Sequence, residues 1–193
     1  MPAMHRRRRA RGLTLIELLL FIVVIGIALA AMLKVFVTAT TFSTDPMVRR
    51  QQLAIAESLL REVELMPFTW CDPTDANVET ATMAAISPTS GCASLVENSA
   101  GPEPGQTRYG PANFFNNVND YNGFNMAGIR DVTNNAIAGL AGYSASVQVI
   151  AAALDSIPSA GEALKITVTV TAPDGSVISL QGWRTRYAPN AAD

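Results

Sequence analysis

The histidine content of this 193-residue chain limits the chemistry that it can perform. His5 is the only histidine, and it lies in an arginine-rich N-terminal stretch. A histidine general base, a Ser-His-Asp triad and a histidine-bearing zinc site are therefore excluded downstream of that stretch. We predict no catalytic, cofactor-binding or metal-binding residue, and we expect that the protein is not an enzyme.

An asparagine-rich segment, Asn116–Asn125, gathers side-chain oxygens around a glycine and faintly resembles a calcium-binding loop. It has only one acidic residue, Asp120, and no glutamate at the spacing that an EF-hand requires. A turn held by side-chain-to-backbone hydrogen bonds explains the segment better. Asp72 and Asp75 form another pair of carboxylates, which we interpret as capping and turn residues.

The segment Trp183–Tyr187 interleaves aromatic residues with Arg184 and Arg186. Aromatic and arginine side chains can stack on bases and neutralise phosphates. A final β-strand with one polar face explains the pattern more simply.

The charge distribution also argues against nucleic-acid binding. Five of the 14 basic residues, and none of the 16 acidic residues, lie in residues 1–12. Removal of that leader would leave 9 basic and 16 acidic residues, a side-chain balance of −7. Because affinity for nucleic acid depends largely on phosphate neutralisation, nucleic acid is not an expected partner.

Glu17 is an acidic residue at the start of a long apolar stretch. The 21 residues from Leu13 to Leu33 would form a helix about 31 Å long, enough to cross a bilayer core of ~30 Å. A charge inside the bilayer costs roughly 2.5–3.5 kcal/mol. A cleaved secretory signal, with a small-x-small site at Ala28–Ala30, and a plain membrane anchor both leave Glu17 unexplained.

The segment Gly12–Glu17, GLTLIE, preceded by arginines and followed by the apolar stretch, resembles the prepilin processing motif of type IV pilins and type II secretion pseudopilins. The resemblance implies that a prepilin peptidase cuts between Gly12 and Leu13 and methylates the new amine of Leu13. Glu17 would then pair with the amine of a neighbouring subunit inside a filament. A buried ion pair of this kind favours one axial register.

The same resemblance implies the partners and the location of the protein. The partners are prepilin peptidase, the pilus assembly platform and other pilin subunits. The arginines predict a single-pass inner-membrane protein with a cytoplasmic N-terminus and a periplasmic head. The protein would later enter a filament at the cell surface.

A narrower resemblance runs from the leader to about Cys71. The stretch DPMVRRQQLAIAESLLREVELMPF is similar to MshD-type minor pilins of the mannose-sensitive haemagglutinin pilus system. Lys34 stands where many major pilins have a proline, which favours a minor subunit. The alternatives are a type II secretion pseudopilin and a tip adhesin or ligand-binding pilin.

The N-terminal half predicts a helix with an interruption. Asp45 and Pro46 favour the start of a new helix, so we expect a kink or short break there. Pro67 should end the second helix. Five apolar residues should form its packed face: Leu53, Ala56, Leu59, Leu60 and Val63. The opposite face should carry charged residues: Glu57, Arg61, Glu62 and Glu64.

The C-terminal third alternates apolar and polar residues in three stretches, which predicts strands starting near Tyr143, Leu164 and Ile178. The turn Ala172–Gly175 should join the last two strands, and Gly182 should mark a bulge. Cys71 and Cys92 lie on the predicted periplasmic side, an oxidising compartment, so we expect them to form a disulfide.

We predict an α+β, pilin-like fold, with a long N-terminal transmembrane and stem helix packed on a C-terminal antiparallel sheet. The expected regions are a cytoplasmic leader that is removed (1–12), a transmembrane helix that becomes the filament core (13–37), a helical stem (38–67) and a periplasmic head (68–193) with its sheet at 143–187.

Overall fold

The computed structural model describes residues 14–97, 101–110, 112–157 and 161–191, with residues 39–45 described by their backbone alone. The chain divides into two units, Met1–Met47 and Val48–Asp193. Helix α1 (Leu15–Glu64) begins in the first unit and ends in the second. A short 3₁₀ helix follows at Val118–Tyr121.

Helix α1 runs through Pro46 without a break, so the predicted short break is wrong, while the alternative, a kink, stays a prediction. Proline has no N–H to donate and disfavours helix in the preceding residue, but flanking helical turns can tolerate the loss of one hydrogen bond. The helix ends three residues before Pro67, close to the predicted end.

The second unit contains a four-stranded antiparallel sheet. Its strands are β1 (Asn125–Ala127), β2 (Ser144–Ala151), β3 (Ala163–Thr171) and β4 (Val177–Thr185), which pair in sequence order. The three strands predicted from the alternating pattern are present, whereas the short β1 was not predicted.

The turn between β3 and β4 has the predicted position. Gly175 has a φ of 82°, a conformation that favours glycine, and its N–H donates to the Ala172 carbonyl over 3.0 Å. Asp174 Oδ1 accepts hydrogen bonds from the Ser176 backbone N–H at 2.9 Å and from the Ser176 hydroxyl at 2.7 Å. These local bonds hold the turn that aligns the two strands.

The predicted bulge at Gly182 is wrong, because Gly182 pairs with Ile166 in a regular register. Gly182 instead lies where α1 approaches the sheet closely. A Cβ atom on Gly182 would lie 2.1 Å from Glu64 Oε1 and 3.0 Å from Leu60 Cδ1. The missing side chain therefore makes room for the helix.

Residues 48–64 of α1 and the inner face of the sheet share one core. From the helix, Ala56, Leu59 and Val63 are buried as predicted, and Ile55 joins them. Leu53 was predicted on this face but is 40% exposed. The strands contribute the alternate apolar residues that their pattern predicts: Ala145, Val147, Val149, Leu164, Ile166, Val168 and Val170.

Gln52 adds a polar connection between helix and sheet. It is fully buried, and its Nε2 donates to the Ser176 carbonyl at 2.8 Å. Its Oε1 accepts a hydrogen bond from the Ser176 hydroxyl at 3.2 Å. Because both ends of the amide are bonded, this buried polar side chain carries little desolvation penalty.

The helix and the sheet together give the predicted α+β fold, a long apolar N-terminal helix with a C-terminal four-stranded antiparallel sheet, consistent with a pilin fold.

Candidate functional site

The predicted processing site lies outside the described residues. This applies to Gly12, to Leu13 and to the arginines that precede them. Cleavage after Gly12 and methylation of Leu13 therefore remain predictions.

Glu17 lies in the first turn of α1. The backbone N–H groups of Glu17 and Leu18 each donate to the Thr14 carbonyl over 3.1 Å. Glu17 Oε2 accepts long hydrogen bonds from Thr14 N at 3.4 Å and from Thr14 Oγ1 at 3.5 Å. A glutamate that reaches back to the residue before the helix is one half of a capping box, and negative charge is favourable at a helix N-terminus. Glu17 can therefore stabilise the start of its own helix, and its pairing inside a filament stays a prediction.

The segment Leu15–Thr38 of α1 is long and apolar enough to cross a membrane, with a mean hydropathy of 2.9 and no part of it buried within the chain. Apolar side chains are exposed all around this segment, for example Leu20, Ile27 and Phe36. A helix that is apolar on every side requires a bilayer or other protein around it. Length and composition thus suggest a membrane anchor.

The head begins with a disulfide-closed loop. Cys71 and Cys92 are joined by a disulfide, and both are fully buried. Asp75 stabilises the loop from inside, as the capping interpretation predicts: its carboxylate accepts four backbone N–H hydrogen bonds of 2.8–2.9 Å, from Asn77, Ala93, Ser94 and Leu95. Burial alone would raise the pKa of Asp75, but these four bonds outweigh it and hold the pKa well below its ordinary value.

A cluster of acidic residues lies beside this loop. Asp72, Glu97 and Glu103 place one carboxylate oxygen each within 4.8 Å of one another. Asp72 and Glu97 are buried, and Glu103 is half-buried. The sequence does not predict this cluster, because the three residues come from separate positions without a motif; of the three, only Asp72 was predicted to have a role, as a turn residue.

The Asn116–Asn125 segment adds a fourth carboxylate to the same region, that of the fully buried Asp120. Asp120 Oδ2 accepts hydrogen bonds from the backbone N–H groups of Asn116 at 2.7 Å and Asn117 at 2.9 Å. Asn117 caps the 3₁₀ helix through its own side chain. The segment is therefore held by side-chain-to-backbone bonds, as predicted.

Asparagine side chains connect this segment to the acidic cluster. Asn116 Nδ2 donates to Asp72 Oδ2 at 3.4 Å, and Asn119 Nδ2 donates to Glu97 Oε1. Burial, together with the neighbouring carboxylates, raises the pKa of Glu97 to about 8 despite the bond from Asn119. Burial likewise raises the pKa of Asp120 to about 7, against its two backbone hydrogen bonds. These carboxylates are thus crowded in a region that disfavours their charge.

Arg186 is engaged within the protein. Its guanidinium carbon lies 3.8 Å from the centre of the Phe68 ring and 4.3 Å from that of Trp70. The same group donates to the carbonyls of Thr69 and Gly161. These contacts leave little of the guanidinium for phosphate and weaken the nucleic-acid interpretation of the C-terminal segment.

Comparison with protein families gives one informative match. Residues 7–33 match the prokaryotic N-terminal methylation motif. Neither the comparison with curated proteins nor that with solved structures gave a match. The motif covers the predicted cut, Glu17 and most of the apolar segment, and it supports placing this chain among the type IV pilins and pseudopilins.

Proposed function

We propose that this protein is a minor pilin-like structural subunit that is processed by prepilin peptidase and incorporated into a type IV, MSHA-like pilus. The observation that carries the proposal is the N-terminal methylation motif at residues 7–33, followed directly by a helix that is apolar on all sides. The motif implies processing by the peptidase and assembly with other pilins. The wider motif family is structural and not enzymatic.

The proposed course of assembly assigns one task to each part of the chain. Residues 1–12 keep the N-terminus cytoplasmic until the peptidase removes them. Residues 13–37 are held in the inner membrane and later form the filament core. Residues 38–67 form the stem, and residues 68–193 form the periplasmic head, whose fold is stabilised by the Cys71–Cys92 disulfide.

Processing is tested first, because every later step depends on it. Gly12→Trp places a bulky side chain where the peptidase needs an extended, unobstructed backbone, so only the uncut precursor should accumulate. Gly26→Trp is the matched control: it lies in α1, and a Cβ there meets nothing within 4 Å. Intact-mass spectrometry of membrane fractions should find the Gly26 variant shortened at Leu13 and carrying one added methyl group. Normal shortening of the Gly12 variant would contradict the proposed cleavage site.

The minor role is tested by abundance. Lys34 lies within the apolar segment of α1, where many major pilins have proline. Quantitative mass spectrometry of sheared filaments should find this chain far below the major pilin. Near-equal amounts would identify a shaft subunit, and recovery only with a secretion apparatus would favour the pseudopilin alternative.

A further inference from the structure

We propose that the head binds one Ca²⁺ ion between Asp72, Glu97, Glu103 and Asp120. This site is additional to the proposed assembly role and does not depend on it. The four residues come from the disulfide loop, from the two segments that follow it and from the 3₁₀ helix.

The spacing of three of the carboxylates suits a single ion. Oxygen atoms of Asp72, Glu97 and Glu103 lie within 4.8 Å of one another. Ca²⁺ binds oxygen at 2.3–2.6 Å, so two ligands of one ion lie at most about 5 Å apart. One central ion can therefore contact all three residues.

Unpartnered buried oxygens are the second and independent observation. Glu97 Oε2, Glu103 Oε2 and Asp120 Oδ1 are buried, and in the described part of the chain none of them has a hydrogen-bond partner. Asp120 as a whole is fully buried, and Glu97 is 3% exposed. An unmet buried polar atom costs about 1–3 kcal/mol, and more when it is charged. Oxygens left open in this way are available to a metal ion.

Hydrogen bonds link the segment that contains Asp120 to two of the other carboxylates, Asp72 and Glu97. Asn116 donates through its backbone to Asp120 and through its side chain to Asp72. Asn119, next to Asp120 in the chain, donates to Glu97. The Asn116 Oδ1 atom is also buried, has no hydrogen-bond partner within the described residues, and belongs to an amide that contacts Asp72, so it offers a neutral oxygen beside the carboxylates.

Nearby basic side chains are engaged elsewhere. Among the described residues, the two ion pairs are Arg108 with Glu62 and Arg186 with Glu162. Arg186 does exert an electrostatic influence on Glu97, but its hydrogen bonds go to backbone carbonyls. The four clustered carboxylates thus lack a directly bonded cation, and a bound Ca²⁺ ion would supply one.

The type of ligand selects the ion. The available groups are carboxylate and amide oxygens, and both cysteines of the chain are used in the disulfide. Zinc and copper favour nitrogen and sulfur ligands, whereas calcium and magnesium favour oxygen. Magnesium usually keeps several waters and strict octahedral geometry, while calcium accepts an irregular set of protein oxygens. A buried, irregular site with four carboxylates therefore fits calcium.

The experiment uses the full-length, disulfide-bonded protein in detergent, freed of metal by chelation. Because the Glu97 N–H is bonded to the Trp70 carbonyl at 3.1 Å, Tb³⁺ bound at the site should show luminescence sensitised by tryptophan. Ca²⁺ should displace the Tb³⁺ with a stoichiometry of one per chain. At ~100-fold excess over its dissociation constant, Ca²⁺ should raise the midpoint of thermal unfolding by about 5 °C or more, and equal Mg²⁺ should raise it much less.

Glu97→Gln and Glu103→Gln are the test variants, and Glu57→Gln, an exposed position on α1, is the control with the same change of charge. The test variants should lose the Tb³⁺ signal and the calcium-dependent shift, and the control should keep both. Wild-type protein that gives neither signal nor shift would overturn the proposal. A test variant that responds like wild type would also overturn the proposal. If one variant does not fold, the other variant and the Tb³⁺ titration of the wild-type protein still test the proposal.

Discussion

Arg108 forms a two-pronged ion pair with Glu62 of helix α1. Its Nε and Nη2 atoms each lie 2.6 Å from one carboxylate oxygen of Glu62. The arginine side chain is 6% exposed and the glutamate side chain 19% exposed. Tyr121 adds a hydrogen bond to Glu62 Oε1 at 2.8 Å. Glu62 thus joins the helix to two distant parts of the head.

Removal of one partner from this pair should destabilise the head strongly. Glu62→Gln leaves the Arg108 guanidinium buried without its counter-charge, which typically costs ~3–5 kcal/mol. Denaturant unfolding of the purified protein measures the change. Glu57→Gln, on the exposed side of the same helix, should change the free energy of unfolding by at most about 0.5 kcal/mol.

The double variant Glu62→Gln, Arg108→Gln tests whether the unpaired charge of Arg108 causes the loss of stability. With both charges absent, no buried guanidinium is left unpaired, so at least half of the lost stability should return. A double variant that is less stable than either single variant would show that the ion pair is not the source of the effect.

The pairing also shows what sequence reasoning can and cannot predict. Alternation located β2, β3 and β4 because half-buried strands impose a period of two on the local sequence. Because Glu62 is charged, the periodic pattern predicts that it lies on the solvent-exposed face of α1. Its buried partner, Arg108, lies 46 residues further along the chain. No local pattern records such a contact.

The acidic cluster was missed for the same physical reason. Asp72, Glu97 and Glu103 lie on irregular segments, whose course depends on the disulfide and on individual hydrogen bonds. The motif that points to function is the opposite case. Residues 7–33 form one continuous stretch, so its glycine, its glutamate and its apolar run can all be recognised from the sequence alone.

Gly182 should tolerate alanine better than valine. The Cβ of alanine would meet Glu64 Oε1 first, and this is the far end of a flexible side chain that can move away. Valine adds atoms towards Leu60 and should push the helix from the sheet, at a cost of roughly 1–3 kcal/mol. Denaturant unfolding should rank Gly182→Val well below Gly182→Ala. Gln181→Val, on the exposed face of β4, should be close to neutral, and equal losses at both positions would contradict this account.

Asp75 should make the stability of the head dependent on acidic pH. Its folded pKa lies below the ordinary value, so the stabilisation is complete above about pH 5, decreases as the pH falls below the ordinary value, and is lost as the pH falls through the folded pKa. Asp75→Asn removes the charge and one of the two acceptor oxygens, which should cost about 1–3 kcal/mol near neutral pH.

The pH dependence distinguishes the contribution of the Asp75 charge from a general destabilisation of the protein by acid. The difference in unfolding free energy between wild type and Asp75→Asn should shrink as the pH is lowered from about 5 to about 2. Asp155→Asn is the control, because Asp155 is exposed and lies in a turn outside the disulfide loop. A difference for Asp75→Asn that stays constant across this range would show that its charge is not what holds the loop.

Glu17 has two possible tasks, and its substitution separates them. The structure gives it long hydrogen bonds to Thr14, which suggest a helix cap, whereas the proposed function gives it the amine of Leu13 as a partner. Glu17→Ala removes an unfavourable charge from the span, so membrane insertion should be unimpaired. Cleavage after Gly12 should largely persist, because the substitution leaves Gly12, Leu13 and the bond between them unchanged.

Assembly is the step that Glu17→Ala should block. In a filament core, the amine of Leu13 would lose its counter-charge, and one unpaired member of a buried pair costs ~3–5 kcal/mol, enough to reduce incorporation severely. Loss of a cap alone costs only about 0.5–2 kcal/mol, so Thr14→Ala, which removes a bond to Glu17 but keeps the carboxylate, is the matched control. Immunoblots of membrane and sheared-filament fractions should find the Glu17 variant processed but absent from filaments and the Thr14 variant present in both. Normal incorporation of Glu17→Ala would leave Glu17 with its local role at the start of α1, because the amine of Leu13 would then need no carboxylate partner in the filament.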